Sequence, residues 1–287
     1  LLVCPTPIGN LKDVTLRVLE SLGEADAIAC EDTRHTRLLL SRHALQTPLI
    51  SLHEHNERAR ATELVRRIAA GELIALVSDA GTPLLSDPGF ALVRACLEAG
   101  VEIEVLPGPS AITTALVASG LPAERWMFVG FLPRSRGARG SAELRDLLAH
   151  AEQTLVAFES PRRLAATLEL LAALDAERPL AVCRELSKVH EEVRRGSARE
   201  LAEHYSKEPA RGEIVLVIGA AGPGSRSRSR AAALAALAEL LAAGARARPA
   251  AAAVAKLTGT GANELYRALI AERAAGGSAD EAGAGDE

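Results

Sequence analysis

The sequence predicts an α/β protein, with two α/β domains followed by a small C-terminal helical region. Three observations carry this. Short apolar runs that end in Gly or Pro alternate with helix-patterned stretches over residues 1–120. A second alternating region starts near Trp126, with shorter and more closely spaced strands. Beyond a Gly/Ser/Arg stretch the pattern becomes purely helical. The expected division is 1–122 for the first domain, 123–219 for the second, 220–230 for a linker, 231–273 for the helical region and 274–287 for a disordered acidic tail.

In the first domain, strands are expected at 1–4, 27–30, 73–77 and 101–106. Val14, Val18 and Leu22 recur at helical spacing before Gly23. Leu64, Val65 and Ile68 do so before Gly71, and Leu92, Val93, Cys96 and Leu97 before Gly100. Each Gly is a helix stop. A further helix is expected from about Ser110. This alternation implies a largely parallel sheet covered on both faces. In the second domain, strands at 127–132, 154–158, 180–183, 192–195 and 214–218 are close enough to imply a mixed sheet. Leu234, Leu237 and Leu241 mark one C-terminal helix, and Val254 and Leu257 a second. Leu265, Tyr266, Leu269 and Ile270 mark a third, after the turn Thr258-Gly259-Thr260-Gly261. The helical hairpin reads either as a nucleic-acid motif or as a plain packing unit.

Hydrophobic residues make up 48% of the 287 residues and aromatics only 2%, so the core must be Leu, Ala, Val and Ile. No apolar run is long enough to span a bilayer and no signal-peptide pattern opens the chain, so no membrane partner is expected. The chain starts without Met, and a few native residues are expected to precede it. Cys4, Cys30, Cys96 and Cys183 are far apart and read as buried thiols rather than a metal or disulfide set. Removing the tail acids Asp280, Glu281, Asp286 and Glu287 brings the formal charge from −4 to 0. Any polyanion would therefore be held by local arginine clusters. These include Arg34/Arg37, Arg134/Arg136/Arg139, Arg162/Arg163 and Arg226/Arg228/Arg230.

Three strands end in unusual loops: Pro5 to Asn10, Ser78 to Gly89, and Pro107 to Ser110. In an open parallel sheet such loops line the ligand crevice. Gly lets a ligand approach the backbone, and Pro stiffens the loop. No G-x-G-x-x-G follows a strand and no G-x-x-x-x-G-K-[ST] occurs, which argues against a dinucleotide or nucleoside triphosphate. The loops offer backbone groups and the carboxylate of Asp79 but no phosphate-binding Lys. A ligand with an amino-acid end, a ribose and a sulfonium fits, and S-adenosylmethionine has all three.

The order of motifs makes the resemblance specific. PTPIGNLKDVT is followed by EDTRHT (31–36), HEHNE (53–57), SDAGTPLLSDPG, PGPSA and GFLPR (130–134). ESPRR (159–163), CRELSKVHEEVRRG (183–196) and GEIVLV (212–217) complete the series. Over residues 1–219 the chain resembles the ribosomal RNA small subunit methyltransferase I family of the tetrapyrrole methylase superfamily. The resemblance implies two α/β domains of the tetrapyrrole methylase type with S-adenosylmethionine in the cleft between them. It implies 2′-O-methylation of a cytidine in the decoding region of 16S ribosomal RNA, in the cytoplasm, by an expected homodimer acting on that RNA or on the assembled small subunit. It carries the cofactor site to Pro7, Gly9 and Asn10 in the first loop. In the second loop it carries over to Asp79, Ala80, Gly81, Thr82, Pro83 and Leu85. Pro107, Gly108, Pro109 and Ser110 follow in the third, with Thr113 nearby, and backbone near Phe158, Leu186 and Ile214 closes the site. The family usually has His where this chain has Arg162, and Arg still suits a phosphate.

Methyl transfer to a ribose hydroxyl needs in-line positioning and help with a proton, and no metal. Lys188 is either a desolvated base or the partner of Glu185, Glu191 or Glu192. Glu31 and Asp32 either orient the ribose or cap the helix that carries Arg34 and Arg37. His53 and His55, two apart in an extended loop, should point to opposite sides of the chain. They read as polar loop or RNA contacts rather than metal ligands. Arg34, Arg37, Arg134, Arg136, Arg139, Arg162 and Arg163 are the remaining RNA-binding candidates. Two other readings stay open: a corrin-precursor methyltransferase of the same fold, and an RNA-binding sensor of S-adenosylmethionine.

Overall fold

The computed structural model describes residues 1–134, 137–149, 151–221, 223–258, 261–263 and 265–269, without the side chains of 137–141, 149, 223–232 and 256–258. Arg136 and the expected acidic tail lie outside the described residues, as do the side chains of Arg139, Arg226, Arg228 and Arg230.

The first sheet contains β1 (Leu2–Val3), β2 (Ala27–Cys30), β3 (Leu49–Ser51), β4 (Ile74–Leu76) and β5 (Glu104–Val105). Their order is β3-β2-β4-β1-β5 and every pair is parallel. Parallel neighbours need crossovers, and α1 (Leu16–Glu24), α2 (Thr33–Arg42), α3 (Glu57–Ala69) and α4 (Phe90–Glu98) lie between strands. Because successive strand residues face opposite ways, the sheet has two cores. Leu2, Ile28 and Ala75 pack with Val18 and Leu22 of α1 and Leu39 of α2. Val3, Ala29 and Leu76 pack with Leu64 of α3 and Leu92 of α4. The sequence gives no sign of β3, whose three residues after Pro48 are too few to show a period.

The second sheet contains β6 (Trp126–Phe131), β7 (Thr154–Glu159), β8 (Pro179–Arg184), β9 (Glu192–Ser197) and β10 (Ile214–Ile218), in the order β6-β7-β10-β8-β9. Only β6–β7 is parallel, so this sheet is mixed. One face is covered by α6 (Gly137–Ala149), α7 (Pro161–Leu174) and α8 (Ala198–Lys207). The other face, with Val156, Ala181, Cys183, Val215 and Val217, packs on Ile112, Ala115 and Leu116 of α5 (Ala111–Ser119). That helix follows the last strand of the first sheet yet covers the second. The core therefore changes hands at the third loop, before α5, whereas the sequence places the boundary after 122. The chain pattern marks where strands stop, not which sheet a helix covers.

Past β10 come α9 (Pro223–Ala242) and α10 (Ala247–Thr258), and residues 262–263 and 265–269 are helical. Ala233, Leu237, Ala251, Val254, Leu265 and Leu269 form their own core. Helix α9 begins inside the expected 220–230 linker. Pro suits a first helical position, and the Arg and Ala residues that follow are good helix formers. Among the described residues no helix is long and apolar enough to cross a membrane.

Candidate active site

The three Gly/Pro loops interlock at the carboxyl end of the first sheet. Thr6 and Gly81 exchange backbone hydrogen bonds at 2.9 Å, and the Thr6 hydroxyl donates to the Ser78 carbonyl at 2.9 Å. The Thr82 hydroxyl donates to the Pro109 carbonyl at 3.2 Å. Gly81 holds φ +83°, which side-chain-bearing residues rarely adopt. A Cβ on Gly108 would lie 2.8 Å from Pro5 Cβ, so this Gly serves the close approach of first and third loops. Gly9 meets the second domain, and its Cβ would lie 3.0 Å from the Leu186 carbonyl. Asn10 caps a 3₁₀ turn (Leu11–Asp13), accepting from Lys12 N–H at 3.1 Å, and its own N–H donates to Ser187 Oγ at 3.3 Å.

Between the sheets lies a cleft of about 490 Å³. Of the cofactor residues carried over from the family, Asp79, Ala80, Leu85, Phe158, Leu186 and Ile214 line it. Gly108 and Pro109 line a neighbouring, more open cleft of about 550 Å³ that shares Ile8 with the first. Pro7, Gly9, Asn10, Gly81, Thr82, Pro83, Pro107, Ser110 and Thr113 line neither. Several of them fix the loops rather than the walls. The Thr113 hydroxyl, for instance, turns back to the Ser110 carbonyl at 3.4 Å.

The main cleft carries the carboxylates of Glu31, Asp79, Asp87 and Glu213, with the Glu159 carboxylate buried behind its wall against α7, and among the described residues no Lys, Arg or His lines it. Such a wall suits a cation and repels a phosphate. Asp79 Oδ1 accepts the Asp32 N–H at 3.0 Å, and Oδ2 faces His35 Nδ1 at 3.2 Å. Burial, reinforced by Asp79, raises the Glu31 carboxyl above its ordinary range. Burial, with Glu31, Asp79 and Glu213 nearby, pushes Asp87 up to about 6. Asp32 is different. It caps α2, and the Arg34 guanidinium holds its carboxyl well below the usual range. Of the two roles considered for Asp32, capping is the one its side chain fills.

Lys188 does not fit the role of a base. Its Nζ lies 2.9 Å from Glu185 Oε1 and 3.0 Å from Glu213 Oε2. Burial opposes its charge, but these two hydrogen bonds outweigh it and the pKa is raised. An ammonium locked between carboxylates stays protonated. The pair with Glu185 is one of the alternatives the sequence offers, whereas Glu213 is not, because it arrives from a distant segment.

The RNA candidates divide. Arg37, Arg134 and Arg162 are exposed, and Arg34 is exposed but paired with Asp32 at 2.6 Å. Arg163 turns inward instead. It donates to the Leu132 and Pro133 carbonyls at 2.7 and 3.1 Å and pairs at 3.1 Å with the buried Glu159. That assigns it a tether to the β6 exit loop rather than RNA contact. His53 and His55 do not point to opposite sides. They sit in a turn, with ring centroids 6.0 Å apart and edge-on. Among the described residues no group of three or more His, Cys, Asp or Glu could hold a metal ion. All four cysteines are free and buried.

Ile8, Asp87, Phe131, Glu159 and Glu213 line the cleft and were missing from the expected site. Each lies within a motif quoted above. The signal was there, but only the fold shows which motif residues face inward.

The family described as Tetrapyrrole (Corrin/Porphyrin) Methylases matches residues 1–202. Ribosomal RNA small subunit methyltransferase I of Mesorhizobium japonicum is 43% identical over 277 residues, covering 96% of this chain and 92% of the relative. The protein of the same name from Thermotoga maritima is 41% identical over 218 residues, 76% of this chain and 97% of the relative. Among solved structures, the methyltransferase CobJ aligns with a TM-score of 0.58 at 22% identity, over 77% of this chain and 93% of that one. Uroporphyrin-III-C-methyltransferase from Thermus thermophilus aligns at 0.53 and 22% identity, over 76% and 93%. At that identity the likeness shows the fold alone. The interlocked loops, the cleft and these relatives agree: the chain belongs to the tetrapyrrole (corrin/porphyrin) methylases and, within them, to the ribosomal RNA small subunit methyltransferase I family.

Proposed function

We propose that the acid-lined cleft holds S-adenosylmethionine and that the exposed arginines beside it guide a cytidine ribose of the 16S decoding region to it. As a family member the chain is an S-adenosylmethionine-dependent methyltransferase of ribosomal RNA. The observation that carries the reading is the contrast in charge. The cleft wall has the carboxylates of Glu31, Asp79, Asp87 and Glu213 and, among the described residues, no basic side chain, whereas Arg34, Arg134 and Arg162 each lie within three residues of a lining residue and are exposed. A sulfonium fits inside, and phosphates fit outside.

When bound, S-adenosylmethionine supplies an electrophilic methyl group. The chain's own residues do the rest. Asp79, Ala80 and Leu85 from the first domain and Phe158, Leu186 and Ile214 from the second would hold it. The carboxylates offset its charge, and the apolar wall excludes water from the transfer site. A small-molecule substrate such as a corrin precursor is less favoured. The relatives above 40% identity that span most of the chain are named for ribosomal RNA, while the tetrapyrrole enzymes share only the fold.

The assembled small subunit as substrate, a homodimer and a cytoplasmic location belong to the same proposal. Exposed apolar Val105, Val117 and Val189 are residues that a partner copy would cover, and sedimentation tests this. The deciding experiment is labelled-methyl transfer to small subunits from cells lacking the protein, with mapping of the modified nucleotide. A single 2′-O-methylcytidine is expected. Labelling of a tetrapyrrole with none of RNA would overturn the reading.

A further inference from the structure

Five acidic residues line the cleft, and the carboxylates of three are already committed. Glu159 accepts the Ser160 N–H at 2.7 Å and the Thr167 hydroxyl at 2.7 Å, and it pairs with Arg163 at 3.1 Å. Asp79 is held on both oxygens by the Asp32 N–H and His35, at 3.0 and 3.2 Å. Glu213 pairs with Lys188 at 3.0 Å. Glu31 and Asp87 remain, and neither forms an ion pair among the described residues.

Asp87 is the more purposefully placed of the two. Leu84 and Ser86 before it both have φ +72°, and Gly89 after it has φ +128°. Non-Gly residues hold such backbone only where the surroundings enforce it. Here the enforcement is visible. The Glu57 carboxylate accepts the Gly89 and Ala91 N–H groups at 2.8 and 2.7 Å, tying the far end of the loop and the first turn of α4 to α3. A Cβ on Gly89 would lie 2.9 Å from Leu76, so the loop is also packed down on β4. The strained, anchored loop turns Asp87 into the cleft beside Glu31 from the end of β2, Asp79 from the same loop and Glu213 before β10. The Ser78 hydroxyl near it donates to the Gly81 carbonyl at 3.0 Å, and among the described residues no cationic side chain lines the cleft.

Resting on the reading of this cleft as a ribose 2′-O-methyltransferase site, we propose that Asp87 is the proton acceptor for the attacking hydroxyl. The ribose oxygen forms its bond to the methyl carbon as the carbon–sulfur bond breaks and the sulfur keeps that electron pair. The hydroxyl proton passes to an Asp87 oxygen and then to solvent. Charge balances: one sulfonium and one carboxylate become a neutral thioether and a neutral acid. A carboxylate that is hard to ionise in this site is correspondingly better matched to taking the proton.

The test is single-turnover methyl transfer to small subunits as a function of pH, with S-adenosylmethionine saturating. In the parent protein the rate should rise with pH and level off, with an inflection at or below about 6, because a bound sulfonium favours the carboxylate. Asp87→Asn should lower the plateau by about 100-fold or more and remove the inflection, with cofactor affinity lowered by no more than about tenfold and RNA affinity within about threefold of the parent. Glu31→Gln should keep an inflection and move it to lower pH, since it removes a neighbouring negative charge, whatever its effect on the plateau. An Asp87→Asn protein that keeps its inflection, or loses less than about fivefold, overturns the proposal. So does a Glu31→Gln protein that loses the inflection, which would make Glu31 the acceptor. If the parent transfers no methyl to small subunits, the functional reading itself fails. A fall in cofactor affinity matching the fall in rate would mark Asp87 as structural.

Discussion

Arg162 and Arg163 are neighbours in sequence and opposites in the fold. Arg162 is exposed beside the cleft mouth, while Arg163 reaches inward to a buried carboxylate and two backbone carbonyls. The same division holds for the whole site, with acids inside and arginines outside. It teaches that charge here is sorted by depth. On the proposed reading a cation enters the cleft and a polyanion stops at its rim, which is the requirement for moving a methyl group from a sulfonium to RNA.

The widest break in this comparison should come at the rim. Replacing Arg34, Arg134 and Arg162 with Ala should weaken small-subunit RNA binding by roughly 100-fold at physiological salt and lower the salt slope by about 2–3. Affinity for S-adenosylmethionine should be unchanged by calorimetry. An unaltered salt slope would take these residues out of the interface. Inside, Arg163→Ala should act on the fold instead. It leaves Glu159 buried beside fewer donors, at a cost of about 2 kcal/mol in denaturant unfolding. RNA affinity of the folded fraction should stay within about threefold. A stable variant with weak RNA binding would reverse the assignment.

The interior can be sharpened by pH. Asp87 has its pKa pushed up to about 6 and Glu31 is also raised, so both give up charge as pH falls. A bound sulfonium favours the ionised forms. Affinity for S-adenosylmethionine should therefore be full above pH 7 and drop by up to about tenfold at pH 5. S-adenosylhomocysteine has no sulfonium and should show much less change. Equal pH dependence for the two would mean that the carboxylates do not face the sulfur. The smallest effect is expected at Lys188, whose cation serves Glu185 and Glu213. Lys188→Arg should keep turnover within about threefold, since the ion pairs can be remade. A collapse in the chemical step with both ligands still bound would restore Lys188 as a base.

The sequence by itself determined the local features. Gly and Pro loops after apolar runs marked the ligand end of the first sheet, because those residues alone relax or fix backbone where a ligand approaches. Runs such as Ala27–Cys30 and Ile214–Ile218 were legible as strands because they are buried on both faces. The series of motifs made the family legible as well. The tertiary structure decided the rest. That α5 leaves one sheet to cover the other, that Lys188 meets Glu213, and that Arg163 turns inward while Arg162 turns out are all long-range or phase-dependent facts. The last follows from a rotation of about 100° between successive helical residues. The loop around Asp87 is the clearest case. Its motif was in view from the start, but only the packing of Glu57, Leu76 and Leu84 shows that its one weakly engaged carboxylate faces the cleft. Proton chemistry depends on which charges are left without partners, and that is set by segments that meet only when the chain is folded.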